Sequence, residues 1–402
     1  MISSDRFREA CSRIPGGCST SAKSPLRNPA WGPYFATQAE GGHFIDDEGR
    51  EWLDFDMALS AAVIGYAVPA IDEAVIRQIK KGFVFSVPSL LEAGLAERLC
   101  ERFPSVECVR FCKDGSDATS AAVRIARRAT GRSKIVIGSY HGWHDWSAVH
   151  YYGVQGASPQ ELGILRSAAS ETIWLPRETC AEFEALIASL DCFAGVIVCP
   201  ENWSQNDLRQ ISDYCRRTST VLIFDEIKSG IRYGPRGVAY SLGLVADLIC
   251  LGKSIANGFP LAVLAGRSEL MSFSNDVHFS TTAASEGISL AASLAVDDYL
   301  RAVETWPPWE ERCKGIMSRV SSLISAVNPM HNLTISGYPG NFRVHTFDHL
   351  PVNDPFRKVF VSTLANHGIF STGYISPCAS HVEEDFARLE VALVEAISEW
   401  VT

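Results

Sequence analysis

From about residue 105 to about 270, short apolar runs alternate with amphipathic stretches, and no other feature constrains the fold as strongly. Val109–Cys112 is such a run. In the stretch that follows it, Ala118, Ala121, Ala122, Ile125 and Ala129 share one helical face, while Arg124, Arg127 and Arg128 fall on others. Lys134–Gly138 and Thr172–Leu175 read as strands. Helix 180–190 precedes strand 193–199, helix 207–218 precedes strand 221–224, and Asp247–Leu251 and Ala262–Ala265 complete the series. Apolar strands alternating with amphipathic helices predict an α/β fold, a mainly parallel sheet sandwiched by helices.

The flanks read differently. Residues 15–35 are rich in Pro, Gly and Ser and predict an irregular entry, and 42–55 predict a hairpin around Asp47-Glu48-Gly49. After about 300 come a helix over 308–327, strands Leu333–Ser336 and Phe342–Phe347, and helices over 355–367 and 382–400. This is the pattern of a smaller α+β domain, with Pro307-Pro308 at the junction. The expected division is an N-terminal segment, 1–60, joining the small domain; a large domain, 61–300; and a small C-terminal domain, 301–402.

A formal net charge of −10 with no block of like charge argues against a nucleic-acid or anionic-membrane partner. No apolar run reaches the length of a membrane span, and the charged start MISSDRFREACSRIPGG has no apolar core of a signal peptide. Twelve cysteines include no CxxC; Cys108 and Cys112 lack a second pair to complete a zinc site, and Cys199 and Cys250 lie in apolar runs. Scattered thiols of this kind predict a reducing, cytoplasmic home.

Ligands of open α/β sheets bind at the carboxyl ends of strands. Polar residues gather there at five places. Asp114-Gly115-Ser116 ends a strand and opens a helix: as a plain helix cap it is unremarkable, but Gly115 permits close approach and the free N–H groups with Ser116 suit a phosphate. Asp225 ends the run VLIFD, where a buried carboxylate needs a partner; Arg232 is one choice, and a metal or a protonated ring nitrogen is another. Lys253, in a Gly-Lys-Ser turn after DLICL, is either a solvated loop lysine or an amine made nucleophilic by desolvation. Tyr140-His141-Gly142-Trp143-His144 is either a packed aromatic loop or a place where Tyr140 or His141 stacks on a flat heterocycle. His141 and His144 have no carboxylate or thiol set nearby in the chain, so no metal is expected there. Cys199–Asn202 is the fifth place.

Two combinations account for these groups. A P-loop ATPase needs GxxxxGK[ST], but before Gly252-Lys253-Ser254 the first glycine's place is Asp247, inside a predicted strand. Pyridoxal phosphate chemistry needs a lysine for the aldehyde, a carboxylate for the pyridine nitrogen, a phosphate cup and a ring-stacking residue, and all four stand at strand ends.

With these motifs the chain resembles the class III aminotransferases, fold type I pyridoxal-phosphate enzymes, and within them the glutamate-1-semialdehyde aminomutase-like branch. The resemblance runs from Ile14-Pro15-Gly16-Gly17 through FIDDEGREWLDF, FCKDGSDATSAAVRIARRATGR, YHGWHDW, LIFDEIKSGIR, DLICLGKSIANGFPLAVLAGR and HFSTTAASEGISLAA to His381–Asp385. It implies that Lys253 binds the cofactor aldehyde as a Schiff base and that Asp225 pairs with the ring nitrogen. Gly115 and Ser116 would hold the phosphate, Tyr140 would stack on the ring with His141 beside it, and Ile227 would pack on the opposite face. Thr282, with Thr281 adjacent, would reach the phosphate of a neighbouring subunit's cofactor, which implies a homodimer with shared active sites. The implied reaction moves an amino group between an amine or amino-acid donor and a ketone or aldehyde acceptor, of the kind found in sugar or secondary-metabolite pathways; an intramolecular aminomutase or racemase is the alternative. The chain departs from the family in having Cys199-Pro200, with Glu201 and Asn202, where Glu-Pro is usual. It also has Lys23, with Arg27 near, where aminomutases carry a carboxylate-binding arginine.

Overall fold

The computed structural model describes residues 5–27, 32–33, 35–149, 161–176, 178–190, 192–302, 306–327, 333–346 and 355–401. Two compact units emerge, one made of residues 70–303 and the other of 1–69 with 304–402.

Unit 70–303 is organised by a seven-stranded sheet. Its spatial order is Cys108–Cys112, Ala262–Gly266, Leu248–Leu251, Val221–Glu226, Gly195–Val198, Ile135–Ile137, Thr172–Trp174. All neighbours run parallel except Ala262–Gly266, which is antiparallel to both of its partners. Every residue of Val221–Glu226, Gly195–Val198 and Leu248–Leu251 is buried. Successive side chains on a strand point to opposite faces, so both faces of this sheet are covered, as unbroken apolar runs require.

The helix Gly115–Thr130 is fixed at both ends by local chemistry. Asp114 caps it, its carboxylate accepting the Asp117 N–H at 3.0 Å, and such a cap contributes about 1 kcal/mol. Gly131, at φ +68°, ends it in the left-handed conformation that glycine adopts without penalty. Its buried face, Ala118, Ala121, Ala122 and Ile125, packs with Ile135, Ile197, Ile223 and Cys250 of the sheet. Alanines let the helix lie close to the strands and so bring its N-terminus level with their carboxyl ends.

In the other unit, His43–Asp46 and Glu51–Asp54 form the expected hairpin. Asp46 builds the turn, Oδ1 accepting the N–H groups of Glu48 and Arg50, each at 2.9 Å. Ala36–Glu40 and Ile369–Phe370 extend it to four strands, the latter pairing in parallel over a separation of more than 300 residues. Leu333–Tyr338 and Asn341–Thr346 form a second hairpin. The expected end of that strand, Phe347, lies outside the described residues. Leu53, Phe55, Ile316, Phe342, Phe356, Phe360 and Leu393 fill this unit's core. Pro307 and Pro308 do not break the chain but sit in the first turn of the helix Trp306–Val327, where a missing N–H costs nothing.

Met57–Ser60 was not legible in advance. Four consecutive non-glycine residues hold φ between +48° and +68°, a left-handed turn that costs roughly 1–2 kcal/mol per residue. Side chains over-determine it: Asp54 Oδ1 accepts the Asp56 and Met57 N–H groups at 2.7 and 2.9 Å, and Asp56 Oδ1 accepts that of Leu59 at 2.6 Å.

Candidate active site

Three chain segments meet at the carboxyl ends of the central strands of unit 70–303. Asp225 is opposite Cys250 in the parallel pairing of Val221–Glu226 with Leu248–Leu251. Lys253, two residues beyond that strand, therefore emerges beside it. Lys253 is half-buried and held at φ +46°, a backbone conformation that a non-glycine residue keeps only when its surroundings impose it.

Asp225 is 5% exposed. Its Oδ1 accepts the Ile227 N–H at 3.1 Å and its Oδ2 lies 2.8 Å from His141 Nδ1. The His141 ring is 1% exposed, and its Nε2 is buried without a hydrogen-bond partner among the described residues. A buried carboxylate held by one imidazole and one backbone amide is fixed in place.

His141 is placed by the helix Gly115–Thr130. Thr119 Oγ1, in that helix's second turn, donates to the His141 carbonyl at 2.7 Å. The Trp143 N–H donates to Ser116 Oγ at 3.4 Å. Gly142 makes this approach possible: at φ +112°, a Cβ there would stand 2.7 Å from Ser116 Oγ and 3.0 Å from its Cα. At the helix N-terminus, the Gly115 and Ser116 N–H groups have no acceptor within the helix. Ile227 joins this end to the lysine turn, since a Cβ on Gly115 would lie 3.0 Å from its Cγ2 and one on Gly252 would lie 3.0 Å from its Cδ1.

The structure thus gathers Gly115, Ser116, His141, Asp225, Ile227 and the turn that carries Lys253. Tyr140 adjoins His141 with 48% of its surface exposed. Thr281 and Thr282 are exposed, and no hydrogen bond or ring contact among the described residues ties Thr282 to the others. The ring-rich loop divides: His144 turns to Ser120, its Nδ1 2.6 Å from Ser120 Oγ, and serves packing.

Thr119 escaped sequence reasoning, and Cys199 was found there only as a strand-end residue without a role. Thr119 looked like any helical residue. Cys199, at the end of Gly195–Val198, has its Sγ 3.9 Å from His141 Nδ1. Burial and then the negative charge of Asp225 push the Cys199 thiol well up, so it is protonated at neutral pH. Burial likewise lifts Glu201 to about 7 and Glu226 to about 8. Glu226 points away from this edge and accepts the N–H groups of Val238 and Ala239 at 2.7 and 3.1 Å.

The chain is 32% identical to a glutamate-1-semialdehyde 2,1-aminomutase of Methanopyrus kandleri, over 97% of this chain and 96% of the relative. It is 30% identical to a 3-aminobutyryl-CoA aminotransferase of Cloacimonas acidaminovorans, over 98% and 96%. The fold superposes on an omega-transaminase from Sphaerobacter thermophilus with a TM-score of 0.83 at 26% identity, covering 98% of this chain and 97% of that one, so the fold is the type I α/β arrangement. The family model for class III aminotransferases matches residues 27–150 and 185–373, and the chain belongs to that family.

Proposed function

We propose that the protein is a pyridoxal-phosphate-dependent aminotransferase that moves an amino group between an amine or amino-acid donor and a ketone or aldehyde acceptor, with Lys253 and Asp225 as its catalytic residues. One observation carries the reading: a buried carboxylate, locked by His141, stands at a strand end beside the lysine turn and a helix N-terminus. The residues fit the cofactor. Gly115 and Ser116 offer two N–H groups and a hydroxyl to a phosphate, aided by the positive end of a 16-residue helix. Asp225 suits a protonated pyridine nitrogen, Tyr140 is a half-exposed ring beside His141, and Ile227 offers an apolar surface between Gly115 and Gly252.

The chemistry that bound pyridoxal phosphate supplies is an aldehyde that condenses with amines and a ring that accepts an electron pair. Lys253 would hold the aldehyde, and its amine, once free, would act as the base that moves the proton at the substrate carbon. Asp225 would favour a proton on the ring nitrogen, and His141 fixes the carboxylate's orientation. Reduction with borohydride followed by peptide mapping tests this: the cofactor should be trapped on Lys253. A colourless protein with no adduct there would overturn the assignment. An intramolecular aminomutase on the same scaffold is the second reading, favoured by the 32% identical aminomutase relative. Consumption of a carbonyl acceptor separates the two.

The working form is a homodimer with shared sites. Phe83, Val84, Phe85, Val87 and Leu90 are all exposed, an apolar surface that a soluble monomer rarely leaves open. The Gly287 N–H donates to the Phe83 carbonyl at 2.6 Å, which ties this surface to the loop carrying Thr282. Thr282 would then reach the cofactor of the second copy. No helix among the described residues is long and apolar enough to cross a membrane. All twelve cysteines are free, which supports a reducing, cytoplasmic setting.

A further inference from the structure

His141, Cys199 and Asp225 come from three different strand ends, yet their ligand atoms all lie within 4.8 Å of one another. Nδ1 of His141 is 2.8 Å from Asp225 Oδ2 and 3.9 Å from Cys199 Sγ. In sequence the thiol and the carboxylate lie 58 and 84 residues from the histidine; the sheet brings both to it. We propose that the cofactor-free chain binds one thiophilic divalent cation, of the zinc type, on His141 Nδ1, Cys199 Sγ and Asp225 Oδ2, and that this cation and the cofactor exclude one another.

The geometry is close to what such an ion needs. Zinc bonds of about 2.0–2.3 Å to nitrogen, oxygen and sulfur in tetrahedral array hold their ligands roughly 3.3–3.6 Å apart. The two separations from Nδ1 lie on either side of that range, each within about half an ångström of it, and the sulfur and the carboxylate oxygen are within 4.8 Å of each other. Thiolate and carboxylate together cancel the charge of a divalent cation, which makes the occupied site neutral and compatible with burial. The soft sulfur and the imidazole select zinc, cobalt or cadmium over magnesium or calcium. A fourth position stays open to water.

The bond balance is simple. Cys199 loses its thiol proton to solvent as the metal–sulfur bond forms. The imidazole gives its Nδ1 lone pair to the metal and carries its proton on Nε2. Nothing is oxidised or reduced.

Mutual exclusion follows from Asp225. A carboxylate whose charge is taken up by a divalent cation no longer favours a proton on a ring nitrogen beside it. This part rests on the cofactor reading above; the metal site itself does not. A cysteine where the family usually has glutamate is thus given a ligand's role.

The test uses cobalt as the probe. Chain stripped of cofactor with phenylhydrazine and dialysed is titrated with Co²⁺, with Mg²⁺ as control. The expected result is one cobalt per chain, with a near-ultraviolet sulfur-to-cobalt band and the visible bands of tetrahedral cobalt. Cys199→Ser and Cys199→Ala should lose the sulfur band and bind at least about tenfold more weakly, about 1.4 kcal/mol. Cys192→Ser, at an exposed thiol, should keep both. Circular dichroism checks that each variant is folded. Protein loaded with pyridoxal phosphate should show no band. Wild type without a sulfur band, or a band that survives in both Cys199 variants, overturns the site. Equal cobalt binding by loaded and stripped protein overturns the exclusion. A chain that takes up no pyridoxal phosphate sinks the cofactor reading, and the cobalt band still decides the metal site.

Discussion

His141 and Asp225 are 84 residues apart in the chain and 2.8 Å apart in the fold, both almost wholly shielded from water. The pair fixes where the buried negative charge sits. Replacing His141 by alanine should therefore act twice. The unpaired carboxylate should destabilise the fold by about 1–3 kcal/mol, and turnover should fall because the charge is no longer aimed. Thermal melts and steady-state rates read the two effects separately; a change in neither would mean the contact is incidental.

Asp225→Asn keeps the shape and removes the charge. Proton transfer at the substrate carbon should slow by orders of magnitude, each tenfold being about 1.4 kcal/mol of barrier. Single-turnover rates with an amine donor measure this. A loss under threefold would argue that Asp225 does not face the ring nitrogen.

Lys253→Ala should remove both the visible absorbance of bound cofactor and all turnover. Repeated turnover without added amine would show that another group does its work.

Gly142→Ala forces a Cβ to within 2.7 Å of Ser116 Oγ at a backbone angle of φ +112° that alanine resists. The loop must lift from the helix N-terminus, which carries the proposed phosphate contacts. Affinity for pyridoxal phosphate should drop about tenfold or more, with a stability loss of about 1–3 kcal/mol. Fluorescence titration with the cofactor checks the first, and chemical denaturation the second.

Glu226 sets a pH dependence of stability. Burial raises its carboxyl from 4.5 to about 8, so between those values the folded chain holds a proton that the unfolded chain has lost. Its contribution therefore falls as pH rises through that window, by up to about 1.4 kcal/mol per pH unit, and levels off above about 8. Melting temperatures across pH 5 to 9 should fall for the wild type and fall less steeply for Glu226→Gln; parallel curves would contradict the assignment.

Val87→Asp places a charge in the exposed apolar surface around Phe83, Phe85 and Leu90. Sedimentation should show a shift from dimer to monomer. A wild type that sediments as a monomer would remove the basis for Thr282 as a shared-site residue.

What the sequence determined by itself is what short-range physics controls. The apolar runs and the helix face of Ala118, Ala121, Ala122 and Ile125 are set by residues within one or two turns of each other, as are the Asp114 cap and the hairpin at Asp46–Arg50. From those alone the strand ends could be found, and with them Asp225, Lys253 and Ser116. Tertiary structure decided which of those ends become neighbours, because that depends on sheet order and register. It set Ala262–Gly266 antiparallel in a parallel sheet, bent Met57–Ser60 into a left-handed turn, and tied Thr119 to the His141 carbonyl. It also brought the Cys199 thiol against a histidine 58 residues away. No local pattern encodes such contacts, since each is made by groups that meet only once the sheet has formed.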